Sequence, residues 1–149
     1  MIIQLHLPIE PKALPRARHS AQNGFVRSYY KRDTLEIFDD YQNTILKALN
    51  NTQRMFTQDV CKNASKGLYI TLHAVFYMPI PKSWSKNKKI EMELKPHTTA
   101  PDVDNLTKMI LDRAEGILFP NDKYIYKTIT EKVYSENVGI YLRLNYEAL

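Results

Sequence analysis

The sequence contains a single cysteine, Cys61, among 149 residues. One cysteine excludes an intramolecular disulfide and is a poor nucleus for a metal site, which favours a reducing compartment. No apolar run is long enough to span a membrane. The amino-terminal segment MIIQLHLPIEPK lacks the basic start and the small-residue cleavage site of a signal peptide. We therefore expect a cytoplasmic protein without membrane contact.

Internal repeats and low-complexity segments are also absent. A chain of this length, with 44% hydrophobic and 11% aromatic residues, can bury a sizeable core but leaves little room for a second one. The sequence predicts a single domain over residues 1–149.

Positive charge is in excess. Lys and Arg number 21 against 16 for Asp and Glu, and the isoelectric point is near 9.2. This balance favours a polyanionic partner such as nucleic acid, although the signal is weak by itself because many basic proteins bind none.

The first third of the chain predicts a strand, a basic arm and a helix. In residues 2–9 apolar side chains alternate with others, as in a half-buried strand. The Pro- and Arg-rich segment that follows contains Asn23-Gly24, which predicts a short hairpin or extended arm. From Thr34 the apolar residues recur at three- and four-residue steps, which predicts an amphipathic helix. Those residues are Leu35, Phe38, Tyr41, Ile45, Leu46 and Leu49.

The boundaries of this helix are less regular than its interior. Asp33 followed by Glu36 resembles a capping box, and Asn50-Asn51 is a plausible stop. Residues 53–66 show no clear period, so the end of the helix is left open.

The second half predicts strands on both sides of a helix. Residues 68–78 alternate and are apolar on both faces, which predicts a central strand. Ser83 is positioned to cap a short basic helix, and Asp102 to begin a helix that ends near Glu115. The runs 124–134 and 138–146 are predicted to form a hairpin. This order indicates an α+β fold, a mixed β-sheet packed in two layers against helices.

The segment PDVDNLTK, residues 101–108, concentrates acids in this basic chain. The simplest interpretation is structural: Asp102 caps a helix, Asp104 complements the helix dipole, and Lys108 pairs with Asp104 or Asp112 on the surface. For an arbitrary Asp-x-Asp this is the commoner case.

A metal site is the alternative explanation. Neighbouring carboxylates repel one another unless a cation neutralises them, and Mg²⁺ prefers a few carboxylate oxygens while keeping positions for water and phosphate. Metal would also bridge the acids to a phosphodiester while the basic residues hold the flanking backbone. Lys108, one helical turn after Asp104, is placed to stabilise charge on the reacting phosphate.

These residues resemble a known family. The stretch from His97 through PDVDNLTK, MILD, RAEG and ILFP to Asn121-Asp122 is similar to the core signature of the RusA-type Holliday-junction resolvases, with its D-x-D-N-L-x-K-x-x-x-D segment. The segments PKALPRAR, YYKRDTLEIFDDY and FYMPIPKSWSKNKK also resemble family segments, so the likeness covers most of the chain.

The resemblance implies a homodimeric, Mg²⁺-dependent endodeoxyribonuclease that resolves four-way DNA junctions by paired incisions. Asp102, Asp104 and Asp122 match its metal-binding acids, with Mn²⁺ as an alternative ion, and Lys108 matches its essential lysine. One ion or two is left open. Asn121 departs from the family, which often has an acid there, and Ala100 stands where a basic residue is frequent.

The remaining candidates concern DNA. A basic set of side chains is predicted to line the DNA path, with Phe25, Tyr29 or Tyr30 stacking on unpaired bases at a branch point. The set consists of Lys12, Arg16, Arg18, Arg27, Lys31 and Lys108. The alternative is that the aromatics pack in the core and the charges only solubilise. His97 is more often incidental than a ligand at such a position, and Asp112 is assigned a supporting role, holding Lys108.

Two other functions fit the same residues. A non-catalytic branched-DNA-binding protein would use the acids only as caps and surface pairs. A metal-dependent phosphohydrolase acting on small nucleotides would gain little affinity from branched DNA and would show a shallow salt dependence.

Overall fold

A computed structural model describes all residues from 1 to 149. Its core is a four-stranded mixed sheet with the strand order β1-β6-β4-β5, and a separate two-stranded sheet is formed by β2 and β3. The strands are β1 Ile2–Leu7, β2 Arg18–Gln22, β3 Phe25–Tyr29, β4 Leu68–Pro79, β5 Ile125–Ser135 and β6 Gly139–Ala148; the helices are α1 Arg32–Ala48, α2 Asn51–Lys62, α3 Lys86–Met92 and α4 Val103–Ala114.

The β4 strand lies inside the sheet, as its apolar sequence predicts. It pairs parallel with β5 and antiparallel with β6, and β6 pairs antiparallel with β1. The parallel pair requires a crossover, which α3 and α4 supply. The prediction of an α+β fold with a mixed sheet is confirmed.

The predicted hairpin of the last two strands is wrong. β5 and β6 are not neighbours, because β4 lies between them. The short connection crosses the end of β4, where Pro79 pairs with Ser135. The carboxylate of Glu93 fixes this connection by accepting bonds from Ser135 Oγ at 2.9 Å and from the Glu136 backbone N–H at 3.0 Å. A short polar loop between two strands therefore does not show that the two strands pair with each other.

Two helix boundaries also differ from the prediction. α1 begins after Lys31 without a side-chain cap, so Asp33 lies within its first turn and forms no capping box. The irregular segment after Asn50 is a second helix, α2. Asn50 begins it with a true capping box, in which Asn50 and Gln53 exchange side-chain-to-backbone bonds of 2.8 and 3.0 Å.

The short basic helix exists but begins later than predicted. Ser85, rather than Ser83, precedes α3 and accepts a hydrogen bond from the Lys88 backbone N–H at 3.2 Å. None of the four helices is long and apolar enough to cross a membrane.

Helices α1, α2 and α4 pack on one face of the sheet. Alternate residues of β1, β4 and β6 point to this face and join buried side chains of α1 and α4 in a cluster of 22 residues. From α4 the buried members are Leu106, Met109, Ile110 and Ala114. Leu35 and Leu46 of α1 are instead largely exposed. Because these side chains of α4 face the core, the remaining side chains of the helix face outward.

Candidate functional site

The amino-terminal end of α4 presents two carboxylates. Asp102 is the residue before the first helical turn, and its side chain forms no capping hydrogen bond. Asp104 lies in the first turn, and its Oδ1 accepts only the backbone N–H of Asn105, at 2.8 Å. Both side chains are exposed. A capping function therefore does not account for Asp102, and most oxygen lone pairs of both acids are free for a cation.

Surface ion pairing does not account for these residues either. The chain has one ion pair, Arg32 with Glu36, and one contact between a histidine and a carboxylate, His73 with Glu131. Lys108 pairs with neither Asp104 nor Asp112, so the predicted role of Asp112 in holding Lys108 is not seen. The amine of Lys108 and the carboxylates at the start of the helix remain available to a ligand.

The loop before α4 is fastened to strand β5 by Lys132. Its Nζ donates to the carbonyl of Pro101 at 2.5 Å and to that of Thr99, and the His97 backbone N–H donates to the Lys132 carbonyl at 3.0 Å. Lys132 thus fixes the backbone directly before Asp102. Sequence analysis missed it, because a lysine in a strand carries no signal that it turns inward toward a loop.

His97 supports the same loop from within. It is 8% exposed, its ring lies 4.7 Å from that of Tyr134, and its Nε2 lies 3.3 Å from Thr99 Oγ1. Burial and the nearby Lys132 ammonium lower the pKa of the imidazole, and its Nδ1 has no partner. His97 is therefore a neutral, buried packing group in the loop.

The carboxyl-terminal end of α4 contains a second group of polar side chains. Glu115 accepts bonds from Asn121 Nδ2 at 3.4 Å and from the Asp122 backbone N–H at 3.3 Å. The tight turn between them uses Gly116 with a φ of 81°. Asp122 itself is exposed at the start of a short 3-10 helix, Asp122–Tyr124. Sequence analysis gave Glu115 no part, although it holds the loop that carries Asp122.

The three predicted metal-binding acids are not brought together within one chain. Asp104 and Glu115 lie near opposite ends of α4, eleven residues apart, which is about 16 Å along the helix axis. The Asp122 backbone contacts the Glu115 carboxylate, which lies at the other end of the helix from Asp102 and Asp104. No group of three or more His, Cys, Asp or Glu side chains lies close enough to hold a metal ion.

Lys108 faces a cleft between α4 and the basic amino-terminal segment. The cleft has a volume of about 570 Å³ and is cationic, with Arg16, His19 and Lys108 in its wall. The remaining lining residues are Leu14, Pro15, Ala17, Tyr30 and Asn105. A backbone bond of 3.3 Å from Leu14 to the Asn105 carbonyl fastens the segment to the helix.

The predicted DNA-binding residues thus divide into two groups. Arg16 and Lys108 share this cleft. The other four are exposed elsewhere: Arg18 and Arg27 on the β2–β3 hairpin, Lys31 at the start of α1, and Lys12 beside Tyr41, whose hydroxyl accepts its backbone N–H at 2.6 Å.

The oxygen ligands at the start of α4 are chemically suited to a hard divalent cation, and the cationic cleft beside them is suited to a phosphate backbone. A family model described as Endodeoxyribonuclease RusA matches residues 8–145. The chain belongs to the RusA endodeoxyribonuclease family. RusA nucleases are metal-dependent enzymes that act on Holliday junctions, and the branched-DNA function implied by the sequence motif is confirmed at the family level.

A protein of Bacillus subtilis (strain 168) is similar to most of the chain. The chain is 29% identical over 133 residues to the "Uncharacterized protein YqaN", and the match covers 85% of this chain and 84% of that protein. The name of this relative assigns it no activity, so the match adds no information about metal or substrate.

Proposed function

We propose that this RusA-family chain is a Mg²⁺-dependent endonuclease that resolves four-way DNA junctions by paired phosphodiester hydrolysis. The observation that carries the proposal is the start of α4, where Asp102 and Asp104 lack side-chain partners and Lys108 lies one turn away in a cationic cleft. Exposed acids beside a basic cleft are suited to holding a cation against a phosphate.

Each group has a distinct part in the reaction. Arg16 and Lys108 hold the DNA backbone in the cleft, and Lys108 stabilises the charge that develops on the scissile phosphate. Asp102 and Asp104 hold the ion. When bound there, Mg²⁺ would supply charge neutralisation at the phosphate and activation of the attacking water. Mn²⁺ has similar ligand preferences and is expected to substitute.

The third acid, Asp122, is supplied by a second copy of the chain. A four-way junction has approximate two-fold symmetry and needs two cuts, which a C2 homodimer matches. If the α4 helices of the two copies lie antiparallel near the dyad, the amino-terminal end of each lies next to the carboxyl-terminal end of the other. The partner subunit's Asp122 then faces Asp102 and Asp104, and two equivalent sites form.

A cleavage assay tests the proposal. The purified protein is incubated with a synthetic mobile four-way junction or with a duplex of matched sequence, in Mg²⁺, Mn²⁺ or EDTA. We expect paired, symmetric incisions in the junction with either metal, none in EDTA and little cleavage of the duplex. Tight junction binding without cleavage in any metal would identify the non-catalytic binding protein instead.

A further inference from the structure

The β2–β3 hairpin, Arg18 to Tyr29, is an exposed arm. All ten residues of its two strands are exposed, and the strands pair only with each other. The turn uses Asn23 and Gly24 at φ values of 51° and 77°, the geometry that joins two strands without splaying them. The hairpin therefore contributes nothing to the core, and its side chains are available to a ligand.

The two faces of the hairpin differ in composition. Cross-strand partners share a face, and the register pairs Arg18 with Tyr29, Ser20 with Arg27 and Gln22 with Phe25. We call this set the aromatic face: Arg18, Ser20, Gln22, Phe25, Arg27 and Tyr29. The opposite face carries His19, Ala21, Val26 and Ser28 and has no Phe, Tyr or Trp. His19 on that opposite face lines the cleft that contains Lys108.

The aromatic face has unusual exposure. Phe25 is 74% exposed and Tyr29 47% exposed, so neither ring is used for packing as in the core. A concave site of about 190 Å³ lies beside Phe25, between Ser20, Gln22, Asn23 and Arg27. Hydrogen-bonding groups and a cation thus surround an open aromatic ring.

Charge identifies the class of ligand. Residues 11–32 contain no Asp or Glu but six Lys and Arg: Lys12, Arg16, Arg18, Arg27, Lys31 and Arg32. An arm with this charge attracts a polyanion, and an aromatic ring between arginines is the usual means of stacking on nucleic-acid bases while holding their phosphates. An acidic protein partner would not use the exposed ring, and an apolar protein partner would not use the cations.

We propose that the aromatic face binds unpaired DNA bases at the branch point, with Phe25 stacked on one base and Arg27 on an adjacent phosphate. The proposal rests on the proposed function and assigns a residue that selects branched over continuous duplex DNA. Because the opposite face borders the Lys108 cleft, the hairpin stands between the duplex arm in that cleft and the centre of the junction. A continuous duplex offers no unstacked base to Phe25, whereas a branch point does.

The test uses a four-way junction with 2-aminopurine at the branch point and is done in EDTA, so that binding is measured without cleavage. Wild-type protein is expected to increase the fluorescence as the base leaves its stacked neighbours. Phe25→Ala should abolish the increase and weaken junction binding about tenfold, the effect of one lost aromatic stacking contact. Its affinity for duplex and its thermal unfolding should be unchanged, because the ring is exposed. Phe25→Trp should restore the wild-type signal.

Val26→Ala is the matched control. Val26 is 72% exposed at the same hairpin tip but lies on the opposite face, so its loss should leave fluorescence and affinity at wild-type values. Equal weakening by Phe25→Ala and Val26→Ala, or equal weakening of duplex and junction by Phe25→Ala, overturns the proposal. If only the nuclease assignment is wrong, the wild-type fluorescence change in EDTA will be normal but the protein will not cleave the junction in Mg²⁺.

Discussion

At the amino-terminal end of α4, Asp102 and Asp104 have no side-chain partners, whereas at its other end Glu115 is engaged by Asn121 and by the backbone of Asp122. The loop before the helix is fixed by the Lys132 cation, and the loop after it is fixed by the Glu115 carboxylate. In both cases a neighbouring residue holds the backbone and leaves an aspartate carboxylate exposed. Each end thus carries part of the proposed metal site, and a single chain keeps the two parts apart.

The largest effect is expected from removing an acid at the amino-terminal end. Asp104→Asn should reduce junction cleavage about 100- to 1,000-fold, the usual effect of losing a charge-stabilising group, while junction binding stays the same or tightens because one negative charge is gone. Single-turnover kinetics measure the cleavage rate, and gel-shift titrations measure the affinity for the junction. Asp112→Asn, on the same helix, is the control and should cleave normally. Unchanged cleavage by Asp104→Asn would refute the metal-site assignment.

Mixing two inactive variants tests whether the ends of α4 cooperate between chains. Asp104→Asn and Asp122→Asn should each be inactive, but mixed dimers contain one intact site and one site with both lesions. The mixture should therefore regain up to roughly a quarter of wild-type sites, seen as single nicks.

The control for this mixture pairs Asp104→Asn with Asp102→Asn. Both lesions then fall at the same end of the helix, so every site in every dimer is damaged and no activity returns. If cleavage returns in neither mixture although subunit exchange is verified, the active site does not combine the opposite ends of α4 from two chains.

A smaller effect is expected from the loop before Asp102. Lys132→Met removes both bonds to the Thr99 and Pro101 carbonyls, so the carboxylate of Asp102 should be less well placed. Cleavage at limiting Mg²⁺ should fall about tenfold and recover partly at high Mg²⁺, as for other residues that orient metal ligands. Lys127→Met, on the exposed part of the same strand, should behave as wild type in the same titration. Identical titrations for the two variants would remove Lys132 from the site.

The smallest effect concerns the buried His97. Its pKa is lowered in the folded protein by burial and by Lys132, so the unfolded chain binds a proton more readily. The free energy of unfolding should therefore decrease as the pH falls below the ordinary histidine value of 6.5. Urea unfolding at pH 7.5 and pH 5.0 measures this, and the change should be smaller in His97→Asn. If the free energy of unfolding changes equally in the wild type and in His97→Asn, groups other than His97 cause the pH dependence.

Periodic patterns predicted the parts of the fold that depend on local burial. Alternation in residues 2–9 and 68–78 placed β1 and β4, and the three- and four-residue steps placed α1 and α4, because burial of one face imposes these periods. The insertion of β4 between β5 and β6 was not predictable in this way. Strand order depends on pairing between distant segments, and the loop that crosses the end of β4 is held by a hydrogen bond from Ser135 to Glu93, residues distant in sequence.

The same division applies to the candidate site. The motif in PDVDNLTK predicted the position of the acids and Lys108 on one helix, because spacing along a helix is a local property. It suggested one cluster with Asp122, whereas the length of α4 separates them. Lys132 and Glu115 bind backbone groups of other segments. Every residue has such backbone groups, so the sequence does not indicate these contacts.

The position of β6 has a consequence for biosynthesis. As the last strand in chain order it fills the gap between β1, the first, and β4, and the register of both pairs runs along most of its length. A nascent chain that has emerged from the ribosome only as far as β5 carries every residue of the proposed site but lacks the strand that joins β1 to β4. The four-stranded sheet, and with it the alignment of the proposed site, can therefore form only after residues 139–148 have emerged.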